Sequence, residues 1–166
     1  MAAQRTYQQQ ARQVRALEDA EHRREEAERR SQAMQFSLWV SIVVEDRNQI
    51  GVRVSNANSE PFYFVTVYSM TPLAVNIIRA TVGPNTRRPM PRPTRALREI
   101  LSGLNHERLL EAGQIMVAST FRDARGNWWF RDSLGNLAGG DSEFDVEKAC
   151  RQHVAKVTAA WSDYNV

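Results

Sequence analysis

The residues of this chain that are chemically capable of catalysis or metal binding are few and dispersed. Cys150 and His153 are three residues apart, a spacing that would bring a thiol and a base to one face of a helix. A free cysteine on an apolar stripe is more often a small buried hydrophobe than a nucleophile, and we interpret Cys150 in that way. His22 and His106 lie on other segments, so no cysteine and histidine spacing indicates a metal site.

Serine and glycine patterns add no catalytic motif. Ser119, Ser133 and Ser142 lack the sequence context of a nucleophile elbow, and the chain has no glycine-rich phosphate loop. The sequence therefore predicts a protein that is not an enzyme and that uses no cofactor and no metal.

The densest charge is a proline and arginine segment, residues 84–98, which we expect to be a loop of extended, polyproline character. Its arginines are Arg87, Arg88, Arg92, Arg95 and Arg98. No acid interrupts them before Glu99, so the segment predicts contact with an acidic surface or a nucleic acid. A solvated loop between two sheets is the competing interpretation. Against nucleic acid, no aromatic residue is interleaved with the charges for base stacking.

Composition limits the class of protein. The chain has 166 residues, 42% of them hydrophobic and 25% charged, which suits a globular domain with an appendage. A net charge of +3 does not demand a nucleic acid or a membrane as partner. One cysteine excludes an intramolecular disulfide. The polar N-terminal residues predict no secretory signal, and no apolar run predicts a membrane span, so we expect a cytoplasmic protein.

The strongest signal for fold lies in residues 113–137, which predict a β-hairpin followed by a second glycine turn. Asp123 and Gly126 suit a type I turn with a glycine bulge, an arrangement that pairs Phe121 with Trp129. The residues that define this hairpin are Phe121, Asp123, Gly126, Trp129, Arg131 and Gly135.

The end of the chain, residues 142–162, predicts an amphipathic helix over 143–161. Both faces of the hairpin carry large apolar side chains, so another element of the chain should pack against the face of Trp128 and Phe130. We therefore predict that this helix packs on the sheet there, with residues 139–140 as a hinge or loop.

The remaining elements complete a mainly β architecture. Residues 1–35 predict a charged helix that is solvated or self-associates weakly. Alternating apolar residues predict strands at 36–45, 50–55, 62–70 and 73–82, and a short helix is predicted at 95–101. Regular strand spacing indicates an antiparallel β-sandwich over 36–138.

A spaced pattern in the hairpin resembles one found in a set of uncharacterised bacterial proteins. Its residues are Asp123, Gly126, Trp129, Arg131, Gly135 and Leu137, and residues 32–39 and 52–63 match the same set more loosely. The resemblance implies a charged N-terminal helix followed by an immunoglobulin-like sandwich that ends in this hairpin. It implies no activity, substrate or catalytic residue.

The sequence thus predicts a non-catalytic protein-interaction or scaffolding module with an unknown protein partner. The alternative is a protein that binds nucleic acid or an acidic surface through the proline and arginine segment.

Overall fold

The computed structural model describes residues 2–43, 49–71, 75–89 and 115–163. The chain divides into two compact units, Met1–Met34 and Gln35–Val166.

The first unit is one long helix, α1 (Ala2–Met34). Its sequence contains neither glycine nor proline, and Glu25 and Arg29 form an ion pair of 3.7 Å one turn apart. Because both side chains are about half exposed, this pair stabilises the helix by only about 0.3–0.5 kcal/mol. The sequence of α1 has a modest apolar stripe, and its last two residues are exposed. Its members are Ala3, Tyr7, Ala11, Val14 and Leu17. Self-association through this stripe stays a prediction.

The described residues of the second unit form eight antiparallel strands in two sheets. The first sheet has the order β1-β2-β5: β1 (Phe36–Val43), β2 (Gln49–Asn56) and β5 (Thr86–Pro89). The second sheet has the order β4-β3-β6-β7-β8: β3 (Phe62–Met70), β4 (Val75–Val82), β6 (Met116–Arg122), β7 (Trp128–Arg131) and β8 (Leu137–Gly140). A final helix, α2 (Glu143–Asp163), follows β8.

Three phenylalanine rings join the two sheets. Phe36 of β1, Phe62 of β3 and Phe121 of β6 are buried, and their ring centroids lie 4.5–5.2 Å apart in tilted and edge-on arrangements. Aromatic pairs in these geometries contribute about 0.5–1.5 kcal/mol each beyond the burial of their area. The inner faces of the sheets therefore form the main core.

A buried amide holds the turns at the same end of this core. Asn56 donates from Nδ2 to the carbonyl oxygens of Glu60 (2.8 Å) and Gly83 (2.9 Å), and its Oδ1 accepts from the Asn58 amide (2.8 Å). The Asn85 amide also donates to the Asn58 carbonyl. The asparagine-rich turn after β2 is thus tied to the turn between β4 and β5.

The second face of the larger sheet packs against α2. Its buried cluster and the half-buried side chains around it are Tyr68, Met70, Ala118 and Cys150, with Phe130, Val154, Val157 and Trp161. The predicted packing of the C-terminal helix is therefore confirmed at Phe130. Trp128 is predicted to lie under the helix as well, but it is not among the side chains of this cluster, and its ring packs 5.9 Å from that of Phe64.

Two predictions about loops are wrong. The loop predicted at 84–98 does not include residues 86–89, which form β5 and pair with β2. Pro89 is tolerated because it ends an edge strand, where the missing amide hydrogen costs least. Residues 139–140 are not a hinge but part of β8, where Gly140 pairs with Trp128. The predicted short helix at 95–101 lies outside the described residues.

Candidate functional site

The hairpin residues identified in the sequence belong to two turns that share one sequence motif and one hydrogen-bond pattern. The motif Arg-Asp-x-x-Gly-Asn occurs at residues 122–127 and again at 131–136. In each copy the aspartate carbonyl accepts from the glycine amide at 3.1 Å, and its Oδ1 accepts from the asparagine amide at 2.8 Å. The glycines, Gly126 and Gly135, have φ of 91° and 88°, a conformation that glycine adopts without strain.

The arginine side chain of each motif donates a hydrogen bond to the glycine carbonyl of the same motif. Arg122 donates from Nε to the Gly126 carbonyl (3.3 Å), and Arg131 donates from Nη1 to the Gly135 carbonyl (3.0 Å). Partial burial lowers the pKa of Arg131, and the charge of the neighbouring Asp132 opposes that shift. The repeat of this motif is visible in the sequence and is the signal that identifies the second turn as a copy of the first.

The predicted register of the hairpin is confirmed. Phe121 pairs with Trp129, and Arg122 pairs with Trp128 on the opposite face of the sheet. The turn chemistry of the first motif is therefore sufficient to set which side chains share a face.

The two aspartates differ in their surroundings. Asp123 is only 3% exposed, and its Oδ2 accepts from the Trp129 indole Nε1 at 2.9 Å. The Asp132 turn is more exposed: Asp132 itself is half-buried, and residues 134–136 are exposed. Burial raises the pKa of Asp132, but hydrogen bonds from the side chain and backbone of Asn136 and from the Leu134 amide, with the charge of His153, lower it below its usual value. These contacts stabilise turns and leave both carboxylates occupied.

A serine and a histidine meet between the second turn and α2. His153 Nε2 accepts from the Ser133 amide at 3.2 Å and lies 2.9 Å from Ser133 Oγ. The ring of His153 also packs 5.8 Å from that of Phe130. In the part of the chain that the structure describes, no carboxylate accepts from the other ring nitrogen of His153, the contact that orients a catalytic base. The pair therefore ties α2 to the turn.

Cys150 does not form a pair with His153. Its side chain is fully buried against Tyr68 and Met70, and burial raises the pKa of its thiol to about 12, helped by the charge of Glu147. A thiol with this pKa is protonated at neutral pH and is a poor nucleophile.

Metal ligands and membrane spans are not found in the described ranges. These residues contain no group of three or more His, Cys, Asp or Glu side chains placed to hold a metal. Neither of the helices that the structure describes is long and apolar enough to cross a membrane.

The outer face of the first sheet brings an arginine and a tryptophan together. Arg87 of β5 extends across β2 and places its guanidinium carbon 5.7 Å from the centroid of the Trp39 ring on β1. It pairs with Ser55, a small residue that leaves room for this crossing. Arg53 pairs directly with Trp39 on the same face and is half-buried. We call Trp39, Arg53 and Arg87 the arginine–tryptophan face.

Only residues 84–89 of the proline and arginine segment lie in the described part of the chain. The structure places Arg87 on the arginine–tryptophan face and pairs the backbone of Arg88 with Val54. Trp39 lies far from Arg87 along the chain, so only the pairing of β1, β2 and β5 brings them together. The other arginines of the segment lie outside the described residues: Arg92, Arg95 and Arg98.

A second surface is made of exposed aromatic side chains. Tyr63 and Phe64 of β3 are 40% and 59% exposed, and Trp128 of β7 is half-buried beside Phe64. Phe64 has a φ of 48° at an irregularity in the pairing of β3. The sequence predicts a strand at Tyr63 and Phe64 but not this bulge, which depends on the two neighbouring strands.

No family model, curated protein or solved structure matches the chain.

Proposed function

We propose that the chain is a non-catalytic binding module of the cytoplasm that holds an acidic segment of a protein partner on the arginine–tryptophan face. One observation carries the proposal: the guanidinium of Arg87 is held over the Trp39 ring, 5.7 Å from its centroid, beside Arg53.

The contact with Trp39 prepares Arg87 for an anionic ligand. A guanidinium over an aromatic ring gains about 0.5–1 kcal/mol at an exposed site. Its N–H groups lie in the plane of the group, where they donate in pairs to a carboxylate. Because the ring already restricts the side chain, binding a carboxylate costs less conformational entropy.

Charge on this face favours an acidic partner. The exposed Arg87 supplies the positive charge, and no acid lies among the described outward positions used here: Ser37, Trp39, Arg53, Ser55 and Arg87. A peptide with spaced acidic residues would therefore meet complementary charge along the sheet.

The same geometry favours a protein over a nucleic acid. Single-stranded nucleic acids stack their bases on open aromatic faces. Trp39 is the one aromatic residue at the outward positions named above, and Arg87 occupies space over its ring. A net charge of +3 also gives little general attraction for a phosphate backbone.

An immunoglobulin-like arrangement of the two sheets is part of the proposal. The two antiparallel sheets, packed through the three phenylalanine rings, support it. The buried, protonated Cys150 and the occupied Asp123 support a non-catalytic role.

The test compares a fluorescent glutamate-rich peptide with a single-stranded oligonucleotide of the same net charge, using anisotropy with the full chain. Arg87→Ala should weaken peptide binding about tenfold, and Arg87→Lys should weaken it less because the charge stays while the stacked, forked geometry is lost. Arg79→Ala, at an exposed arginine of β4, is the matched control and should leave binding unchanged.

Peptide binding that Arg87→Ala leaves intact would contradict the proposal. Tighter binding of the oligonucleotide, lost in Arg87→Ala, would favour the nucleic-acid alternative instead.

A further inference from the structure

An aromatic patch on the larger sheet extends beyond the part that α2 covers. Its members are Tyr63, Phe64 and Trp128. Tyr63 and Trp128 both pair with Arg122, one from each side, so they lie in one row across β3, β6 and β7. The Arg122 side chain is held by the carbonyl of Gly126 in the hairpin turn.

Phe64 is strained and exposed at once. A φ of 48° is rare for a bulky side chain and costs about 1–3 kcal/mol. The strain does not bury the ring, since the side chain is 59% exposed. The bulge lets Phe62 and Val65 both be buried in the core, and it leaves Tyr63 and Phe64 side by side on the exposed face, where a ligand can reach both rings.

Acidic residues border the Trp128 end of the aromatic patch. Gly140 pairs with Trp128, and the first turn of α2 approaches Gly140 so closely that an added Cβ would lie 3.4 Å from the Cβ of Asp145. Asp141, Glu143 and Asp145 are all exposed there. The patch is therefore a row of aromatic side chains crossed by Arg122, whose Nε donates to the Gly126 carbonyl, and it has an acidic rim at one end.

We propose that the aromatic patch binds the proline and arginine segment of a second copy of this chain. Residues 89–95 read Pro-Met-Pro-Arg-Pro-Thr-Arg. Proline-rich segments dock on aromatic surfaces with a small ordering cost, because their extended conformation exists before binding. Arg92 and Arg95 supply the charge that complements the acidic rim.

Covalent reach favours a second copy over the same chain. Pro89 is held in the first sheet by its pairing with Arg53, whereas the aromatic patch lies on the face of the second sheet that is turned away from the first. Stacked sheets lie about 10 Å apart. Pro91 is two residues beyond Pro89, a reach of about 7 Å at most. A segment that docks along its whole length, from its first prolines to Arg95, therefore has to come from a second copy.

The test uses a labelled peptide of residues 86–98 and the full-length protein. The peptide should bind, and Phe64→Ala or Trp128→Ala should weaken binding about tenfold. A peptide with alanine at positions 89, 91 and 93 should bind about tenfold more weakly as well. Leu134→Ala, at a 79% exposed residue outside the aromatic patch, is the control and should bind normally.

A second variant separates binding from folding. Phe64→Gly removes the ring and relieves the backbone strain, so it should be at least as stable as the parent and still lose peptide binding. In sedimentation experiments the parent should associate with rising concentration, and Phe64→Gly should not.

Failure of the peptide to bind, or binding that the patch variants do not change, would overturn the inference. Patch-dependent peptide binding by a chain that sediments as a monomer at every concentration would overturn the second copy as the partner. The proposed function is tested with the glutamate-rich peptide and Arg87→Ala, a variant that leaves the aromatic patch intact. The present inference is tested with a different peptide and with variants of the patch. Either proposal can therefore fail without the other.

Discussion

At the scale of single residues, the two copies of the Arg-Asp-x-x-Gly-Asn motif show how burial changes the contribution of the same hydrogen bonds to stability. Asp123 and Asp132 accept equivalent backbone hydrogen bonds. Only Asp123 is buried and also accepts from an indole, that of Trp129. The local sequence determines the turn in both places, and the surrounding core determines how much each turn contributes.

Replacing the two aspartates should therefore have unequal effects. Asp123→Ala leaves the Trp129 indole and the Asn127 amide without their acceptor in a buried place, so the free energy of unfolding should fall by about 3 kcal/mol. Asp132→Ala, the matched control, should cost about 1 kcal/mol, because water reaches the freed donors. Urea denaturation measures both, and equal losses would contradict this expectation.

The contribution of the Asp132 turn to the stability of the folded chain should decrease at acid pH. The pKa of Asp132 is lower in the folded chain than its usual 3.8, so its contribution to stability is complete above about pH 4 and is lost as the pH falls through the folded value. The stability difference between the parent and Asp132→Asn should shrink as the pH is lowered from neutral to below about 4. A constant difference would show that the carboxylate charge does not stabilise the turn.

The buried thiol should be unreactive in the folded protein. Cys150 is fully buried and its pKa is raised to about 12, so a thiol reagent at neutral pH should label it only after denaturation. Cys150→Ser should lower the free energy of unfolding by about 1–3 kcal/mol, because a hydroxyl enters an apolar cluster. Rapid labelling of the native chain would contradict this placement.

At the scale of elements, strands and helices with a clear period were predictable. β3 has the predicted bounds of 62–70, and α2 covers the predicted helix at 143–161. β5 was not predictable, since its residues are rich in proline and arginine and become a strand only by pairing with β2. β8 contains two adjacent glycines that indicated a hinge, but Gly140 is needed where α2 approaches the sheet.

That close approach can be tested with neighbouring glycines. A Cβ at position 140 would lie 2.7 Å from Cγ1 of Val146, so Gly140→Ala should lower the free energy of unfolding by about 1–3 kcal/mol. At Gly139 the added carbon would make an ordinary contact with the Trp129 ring, so Gly139→Ala is the control and should cost less. A double-mutant cycle with Val146→Ala should show coupling between positions 140 and 146.

At the scale of the whole molecule, the chain consists of a long charged helix and a β-rich unit. The apolar stripe of α1 is weak, and its last two residues, Val14 and Leu17, are exposed. The proposed contact between copies uses the aromatic patch of the second unit, so it does not depend on this stripe.

Removing residues 1–30 should therefore leave self-association of the chain in place. Light scattering on the full and shortened chains should show the same oligomeric state at equal molar concentrations. A shortened chain that becomes monomeric would instead assign self-association to α1.

Short-range patterns were enough to predict the hairpin, its register and the amphipathic helix, because turn chemistry and side-chain periodicity act over a few residues. Three features arise only from the folded arrangement: the contact of Arg87 with Trp39, the bulge at Phe64 and the part of the sheet that α2 leaves uncovered. These features join residues that are distant along the chain, and strand pairing and packing, which local patterns do not encode, bring them together.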